Sequence, residues 1–115
     1  MHYTAKFDEQ PLTSSTLRIS GAAIDTAYQQ VSGELLNAIR LACKNVKAFH
    51  KQRLPKNWVT FEENGVVLGK RYTPVARAGI YVTGGRAAYT STVIMNAIPA
   101  QVAGVERLVM TTPSP

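Results

Sequence analysis

The sequence has few of the residues from which metal sites and nucleophilic sites are usually built. It contains one cysteine and two histidines among 115 residues. The single cysteine, Cys43, excludes an internal disulfide and fits a reducing compartment such as the cytoplasm. On a predicted apolar helix face, it is expected to be a buried apolar side chain rather than a nucleophile. Two scattered histidines do not provide the ligand spacing of a zinc site.

Carboxylates are also scarce. The seven Asp and Glu residues are scattered, and only Asp8-Glu9 and Glu62-Glu63 are neighbours. Successive side chains of a strand point to opposite faces, so Glu62 and Glu63 make a poor acid–base pair. No nucleophile stands beside an evident base. The sequence therefore identifies no catalytic residue and no metal ligand in this chain.

Long apolar runs are absent as well. No run reaches the roughly 18 residues of a membrane-spanning helix, so we expect no membrane association through such a helix. The first residues lack the apolar core of a signal peptide. The hydrophobic fraction of 45% is ordinary for a globular chain. The length predicts one domain or less.

The chain carries a net charge of +6 at pH 7. Part of this charge forms one stripe on a predicted helix, made of Arg40, Lys44, Lys47 and Lys51. The stripe lies opposite an apolar one, which is typical of a solvated face. No aromatic residues interleave with it as a stacking surface would require, so we expect no nucleic-acid partner. A non-enzymatic basic module stays open as a rival, and steeply salt-dependent retention on DNA would favour it.

Residues 77–112 are the most informative part of the chain. They predict a strand at 77–83, a helix at 91–103 that Gly104 ends, and a second strand at 106–111. A helix between two strands is typical of a βαβ unit with parallel strands. Its crossover should be right-handed.

Two glycines, Gly84 and Gly85, stand between the first of these strands and the helix. Glycine allows a tight turn or a close backbone approach, and the N–H groups at a helix N-terminus can hold an anion. The third glycine of a dinucleotide fingerprint is missing, so an anion site and a plain turn both stay open. Thr90 and Ser91 are expected as N-caps of the helix, and Pro99 is expected to kink it.

Two helices and a hairpin are predicted upstream. Ser20 is expected to cap a short helix, and Ser32 a longer one at 33–53. The longer helix has an apolar stripe that we expect to be buried, formed by Leu35, Ile39, Ala42, Val46 and Phe49.

The hairpin is predicted by Asn64-Gly65, which lies between two apolar runs and favours a type I′ turn. Trp58 and Phe61 are expected to pack on the long helix. One βαβ unit gives only two parallel strands, and such sheets are normally larger and covered on both faces. The sequence therefore predicts a part of a larger α/β protein, or a chain that needs a partner.

The stretch TPVARAGIYVTGGRAAYTSTVIMNAIPAQVAGVERLVMTTPSP resembles the histidinol dehydrogenase family. That family has a Tyr-Val-Pro-Gly-Gly turn, a helix of the form SSVLMNAIPAxVAGV, and then VMxTPP. The upstream segments KFDEQPLTSSTLRIS and VKAFHKQRLP match the family pattern in the same order. The resemblance therefore covers essentially the whole chain.

The resemblance implies an α/β fold. Residues 1–57 would be a helical N-terminal segment, followed by a hairpin and the first βαβ unit of an incomplete Rossmann-like, NAD-associated domain at residues 58–115. It further implies a cytoplasmic homodimer that oxidises L-histidinol to L-histidine through the aldehyde, with NAD and zinc as cofactors. A paralogue acting on another polar alcohol, such as a sulfonated diol, stays open.

The resemblance also implies the roles of a few residues. Tyr81 matches the NAD-contacting tyrosine of the family motif, and Gly84 and Gly85 match the turn beside it. Thr83 departs from the pattern, because the family usually has proline there. The family's zinc ligands and its Glu-His acid–base pair belong to a later part of the sequence, so none is carried over. The chain looks like roughly the first third of such an enzyme, and alone it is expected to be inactive.

Overall fold

The computed structural model describes Tyr3, Lys6, residues 13–84 and residues 89–113. The fold is mixed α/β, as the sequence predicts. Its elements in chain order are α1 (Gly21–Gln30), α2 (Gly33–Gln52), β1 (Trp58–Phe61), β2 (Val67–Lys70), β3 (Arg77–Tyr81), α3 (Thr90–Val102) and β4 (Arg107–Thr111). Strands β1 and β2 form an antiparallel hairpin, and β3 and β4 form a separate parallel pair.

The first two of these helices begin at serine caps. The Ser20 Oγ accepts a hydrogen bond from the Ala23 N–H at 3.2 Å, and the Ser32 Oγ accepts one from the Leu35 N–H at 3.2 Å. Each bond satisfies a backbone donor that the first helical turn leaves without a partner. Both predicted caps are confirmed. At 20 residues, α2 is the longest of these helices, as predicted.

The predicted burial of the α2 apolar stripe is wrong. Leu35 is 51% exposed and Phe49 is 57% exposed. The other residues expected in the core of this helix are half-buried: Ile39, Ala42, Cys43 and Val46. Helix α2 packs on α3, and no further described element packs extensively on it. The stripe is therefore correctly located on one helix face, but the described chain covers only part of it.

The hairpin is confirmed, but its turn is not of the predicted type. A type I′ turn on Asn64-Gly65 would bond the Val66 N–H to the Glu63 carbonyl. Instead the Gly65 N–H donates to the Glu62 carbonyl at 3.0 Å, and the Glu62 N–H donates to the Val66 carbonyl at 2.8 Å. The Asn64 Oδ1 accepts from the Val66 N–H at 3.0 Å, so the side chain occupies the donor that a type I′ turn needs. Gly65 has a φ of 83°, as the three-residue connection requires.

The aromatic residues of the hairpin do not pack on the long helix as expected. Trp58 is 52% exposed and Phe61 is 77% exposed. Strands β1 and β2 make their main contacts with each other. The sequence pattern predicts the hairpin but does not indicate which element covers either of its faces, so the packing of its aromatic residues was not predicted correctly.

The predicted βαβ order and the parallel pairing are confirmed. Strands β3 and β4 pair in register from Arg77 opposite Arg107 to Tyr81 opposite Thr111. The Val82 N–H extends the ladder by donating to the Thr111 carbonyl at 2.9 Å. Helix α3 connects the two strands and packs on β3. The right-handed crossover stays a prediction.

Helix α3 begins one residue earlier than expected. Tyr89 is its N-cap and makes no capping bond through its side chain. The predicted caps are wrong, because Thr90 and Ser91 already lie inside the helix. The Tyr89 carbonyl instead accepts from the Thr92 and Val93 N–H groups, at 3.0 and 3.4 Å. The first turn is thus closed by the backbone alone.

The end of α3 is set by Gly104, as predicted. Its φ is 90°, which an L-residue with a side chain adopts only at a cost. The Gly104 N–H donates to the Gln101 carbonyl at 3.1 Å, and the Val105 N–H donates to the Ala100 carbonyl at 3.0 Å. This pair of bonds defines a Schellman motif. Pro99 lies inside the helix, and a kink there stays a prediction.

The chain has an extended shape and a small core. Its radius of gyration is 19.9 Å, whereas a compact domain of this length would have about 13 Å. The accessible surface is 9867 Å², whereas a compact monomer of the same mass would expose about 6,200 Å². Among the described residues only Ile80 and Val82 form a buried hydrophobic core. The firmest packing is therefore at the parallel strand pair.

Candidate functional site

The candidate site is the edge where the parallel strands β3 and β4 end. Tyr81 and Thr111 are the last residues of the two strands and lie opposite each other. The segments that leave the strands therefore start at the same level and run side by side. In open α/β sheets, ligands bind at this carboxyl edge of the strands.

Tyr81 is presented to solvent at this edge. It is 63% exposed, while Ile80 and Val82 on either side of it are buried. Successive strand residues point to opposite faces, so Tyr81 lies on the face that the core side chains leave free. Helix α3 is the described helix that packs on β3. The position at the end of the strand is the one that the sequence predicts, and the ring is available to a ligand.

Gly84 lies close to another part of the chain. A Cβ at this position would be 3.2 Å from both Cβ and Cγ of Pro113 and 3.3 Å from its Cδ. These distances are shorter than ordinary van der Waals contact between carbon atoms. The close approach that the sequence predicts for Gly84 therefore exists, and its partner is a proline of the same chain. The other predicted turn residue, Gly85, lies outside the described residues.

No metal-binding cluster is found in the described part of the chain. Across Tyr3, Lys6 and residues 13–84 and 89–113, no group of three or more His, Cys, Asp or Glu residues is placed to hold a metal ion. Among the same residues, none of the helices is both long enough and apolar enough to span a membrane.

A concave surface lies on the hairpin. It is an open groove of about 480 Å³ lined by Asn57, Trp58, Val59, Gly69, Lys70 and Arg71. Sequence reasoning did not indicate it. Some of its polar groups are already engaged within the hairpin, since the Asn57 Oδ1 accepts from the Tyr72 N–H at 2.7 Å. The Lys70 Nζ lies 4.9 Å from the centre of the Tyr72 ring.

The basic stripe of α2 is an exposed surface, as a solvated face would be. Arg40 and the lysines at 44, 47 and 51 are all exposed. The Arg40 Nη2 donates to the Tyr28 hydroxyl at 3.3 Å, which links α2 to α1. Nearby, the Arg53 guanidinium lies 5.4 Å from the centre of the Phe49 ring. These contacts place Arg40 and Arg53 against aromatic side chains of α1 and α2.

Comparison with known proteins gives one consistent result. The model of the histidinol dehydrogenase family matches residues 1–115. Over 113 residues the chain is 67% identical to the histidinol dehydrogenase of Thermosynechococcus vestitus, covering 98% of this chain and 26% of that protein. It is 50% identical to the histidinol dehydrogenase of Carboxydothermus hydrogenoformans, covering 98% of this chain and 27% of that protein.

A solved structure gives the same result for the fold. The crystal structure of histidinol dehydrogenase from Elizabethkingia anophelis superposes with a TM-score of 0.88 at 38% identity, covering 97% of this chain and 25% of that one. The chain thus spans about a quarter of the length of the relatives that it matches. None of these relatives favours a non-enzymatic basic module. Because the family match runs over all 115 residues, the chain belongs to the histidinol dehydrogenase family.

Proposed function

We propose that this chain is part of a histidinol dehydrogenase that oxidises L-histidinol to L-histidine through the aldehyde, using NAD. The observation that carries the proposal is the family match over the whole chain, together with the 38% identity to a solved enzyme of that name. The relatives reported above are named for histidinol, and no described residue favours a sulfonated diol as the substrate.

Within that enzyme, residues 58–115 would begin the NAD-associated domain, and residues 1–57 would be a helical segment in front of it. The domain would have incomplete Rossmann-like topology. The parallel pair of β3 and β4 joined through α3 supports this proposal, because such a unit is the repeating element of these folds. Two strands are too few for a stable parallel sheet, so further strands would come from the rest of the protein.

NAD would contact Tyr81, with Gly84 and Gly85 in the turn beside it. NAD supplies the hydride acceptor when it is bound. The Tyr81 ring fits this role, since it is exposed at the carboxyl edge and can stack on a flat ring while its hydroxyl takes a hydrogen bond. Gly84 contributes by allowing the close passage of the chain at Pro113. The proposed contribution of this chain is therefore to bind and orient the cofactor.

Zinc does not fit the described residues, because they contain no cluster of suitable ligands. Its ligands and the acid–base residues would lie in parts of the enzyme outside this chain.

A cytoplasmic homodimer is part of the same proposal. The exposed apolar side chains support the need for further covering protein, since Leu35, Phe49 and Phe61 are each more than half exposed. A free, half-buried Cys43 agrees with a reducing compartment. Sedimentation of the complete enzyme would test the dimer, and a monomer at assay concentrations would contradict it.

The function is tested with the complete enzyme that contains this chain. NADH formation is followed with L-histidinol as substrate, with a sulfonated diol as the competing substrate and with a metal chelator as a further control. We expect turnover with histidinol, little with the diol, and loss of turnover in chelator. A preference for the diol would overturn the substrate assignment, and turnover that the chelator leaves unchanged would overturn the zinc assignment.

A further inference from the structure

The segments that follow β3 and β4 meet at one point beyond the last bond of the strand ladder. That last bond runs from the Val82 N–H to the Thr111 carbonyl at 2.9 Å. Two residues further along each segment, Gly84 faces the Pro113 ring, with three ring carbons at 3.2–3.3 Å from where a Cβ at residue 84 would lie. Pro113 is half-buried at this point. At this spacing a Cβ at residue 84 would be tighter than ordinary contact, so the Pro113 ring or the backbone at residue 84 would have to move.

We propose that Gly84 and Pro113 are a positioning pair, in which the proline ring against the glycine backbone sets the spacing of the two segments and thereby the orientation of Tyr81 toward NAD. The inference rests on the proposed NAD role of this edge and adds Pro113 as a positioning residue. Pro113 does not itself contact the cofactor in this proposal. It acts through the backbone of the segment that follows β3.

The residues around the pair explain why a small displacement would reach Tyr81. The proline ring is rigid and its φ is fixed, so it cannot turn aside as a flexible side chain would. Val82 is 7% exposed and belongs to the core, so the segment cannot move outward without uncovering it. A methyl group at residue 84 would therefore push on the end of β3, where Tyr81 is the last paired residue.

The chain offers a matched control for this effect. Gly33 is the first residue of α2, and a Cβ there would have no neighbour within 4 Å. Gly33→Ala and Gly84→Ala thus make the same chemical change, and only the second change meets Pro113.

The test compares wild type, Gly33→Ala, Gly84→Ala, Pro113→Ala and the double variant Gly84→Ala/Pro113→Ala in the complete enzyme. Overpacking of this kind should raise the KM for NAD about tenfold in Gly84→Ala. The kcat should change less than the KM, because the acid–base residues are expected outside this chain. Gly33→Ala should match wild type. The double variant should recover to within about threefold of wild type, because removal of most of the ring makes room for the methyl group.

Several outcomes would overturn the inference. A double variant as impaired as Gly84→Ala would show that contact with Pro113 is not the cause. An equal loss in Gly33→Ala would show a general effect of exchanging glycine for alanine, and equal changes in kcat and KM would point away from cofactor positioning.

Hydrogen exchange of the Val82 amide separates this inference from the proposed function. The exchange should be faster in Gly84→Ala and restored in the double variant. If wild type binds no NAD, the proposed function fails, and the exchange of this amide then decides whether the contact sets the spacing. Unchanged exchange in Gly84→Ala would overturn the contact itself.

Discussion

Replacement of Tyr81 by alanine should weaken NAD binding and leave the zinc content of the complete enzyme unchanged. The change removes one stacking contact and one hydrogen bond, which together are worth about 1–3 kcal/mol, or roughly tenfold to hundredfold in affinity. Tyr81→Phe should cost less, because the ring remains. The zinc content should not respond, since the metal ligands are expected outside this chain.

The exposure of Tyr81 makes this effect separable from unfolding. Full burial of a large side chain is worth about 1.5–3 kcal/mol. Because Tyr81 is 63% exposed, truncation should lower the free energy of unfolding by about 1 kcal/mol or less. Tyr28 is a suitable control, since it is 53% exposed and lies on α1, where its hydroxyl accepts a hydrogen bond from Arg40. Tyr28→Ala should leave NAD affinity unchanged.

The assay is a titration of NAD against wild type, Tyr81→Ala, Tyr81→Phe and Tyr28→Ala, with metal analysis of each protein. Binding by Tyr81→Ala as tight as that of wild type would refute the cofactor role. A loss of the same size in Tyr28→Ala would show that the effect is not specific to the sheet edge.

Three further predictions concern activity and stability. The isolated 115-residue chain should not reduce NAD with histidinol, with or without added zinc, because the described residues hold no metal-binding cluster; turnover above a no-protein control would contradict this. Gly104→Ala should lower the free energy of unfolding by about 1–2 kcal/mol in denaturant titrations, because residue 104 has a φ of 90° and a Cβ there would lie 3.4 Å from the Pro74 Cγ. Gly33→Ala, at a position with no neighbour within 4 Å of the new Cβ, is its control and should not be destabilising. Ser32→Ala should cost about 1 kcal/mol by removing the cap on the Leu35 N–H, and a stability equal to wild type would show that water replaces the cap.

Local signals in the sequence predicted three helix boundaries whose bonding partners lie within a few residues. The caps at Ser20 and Ser32 and the end of α3 at Gly104 are of this kind. In both local errors, a backbone N–H has a different acceptor from the one predicted. At Asn64 the side-chain Oδ1 accepts the Val66 N–H that the predicted turn would bond to a backbone carbonyl. At the start of α3 the Tyr89 backbone carbonyl accepts the N–H groups for which a side-chain cap was expected.

Burial was predicted less well than the elements, because periodicity shows which residues share a face and not what covers that face. The stripe containing Leu35 and Phe49 has helical spacing, yet α3 covers only part of it. Gly84 illustrates the same limit at the candidate site. Two adjacent glycines predict a tight turn or a close approach, but its partner, Pro113, follows a different strand and is identified only by the fold.

The function of Tyr81 depends on what covers its face of the β3–β4 sheet in the complete enzyme. Ile80 and Val82 are buried on one face of β3, helix α3 packs on this strand, and a parallel sheet is normally covered on both faces. Either protein or cofactor therefore covers the Tyr81 ring in the complete enzyme. A ring packed under protein would cost about 3–5 kcal/mol of stability on truncation to alanine. If the ring instead contacts NAD, Tyr81→Ala should lower the affinity of the enzyme for NAD while its free energy of unfolding stays nearly constant. Measuring both quantities on Tyr81→Ala therefore distinguishes a packed strand residue from a cofactor contact.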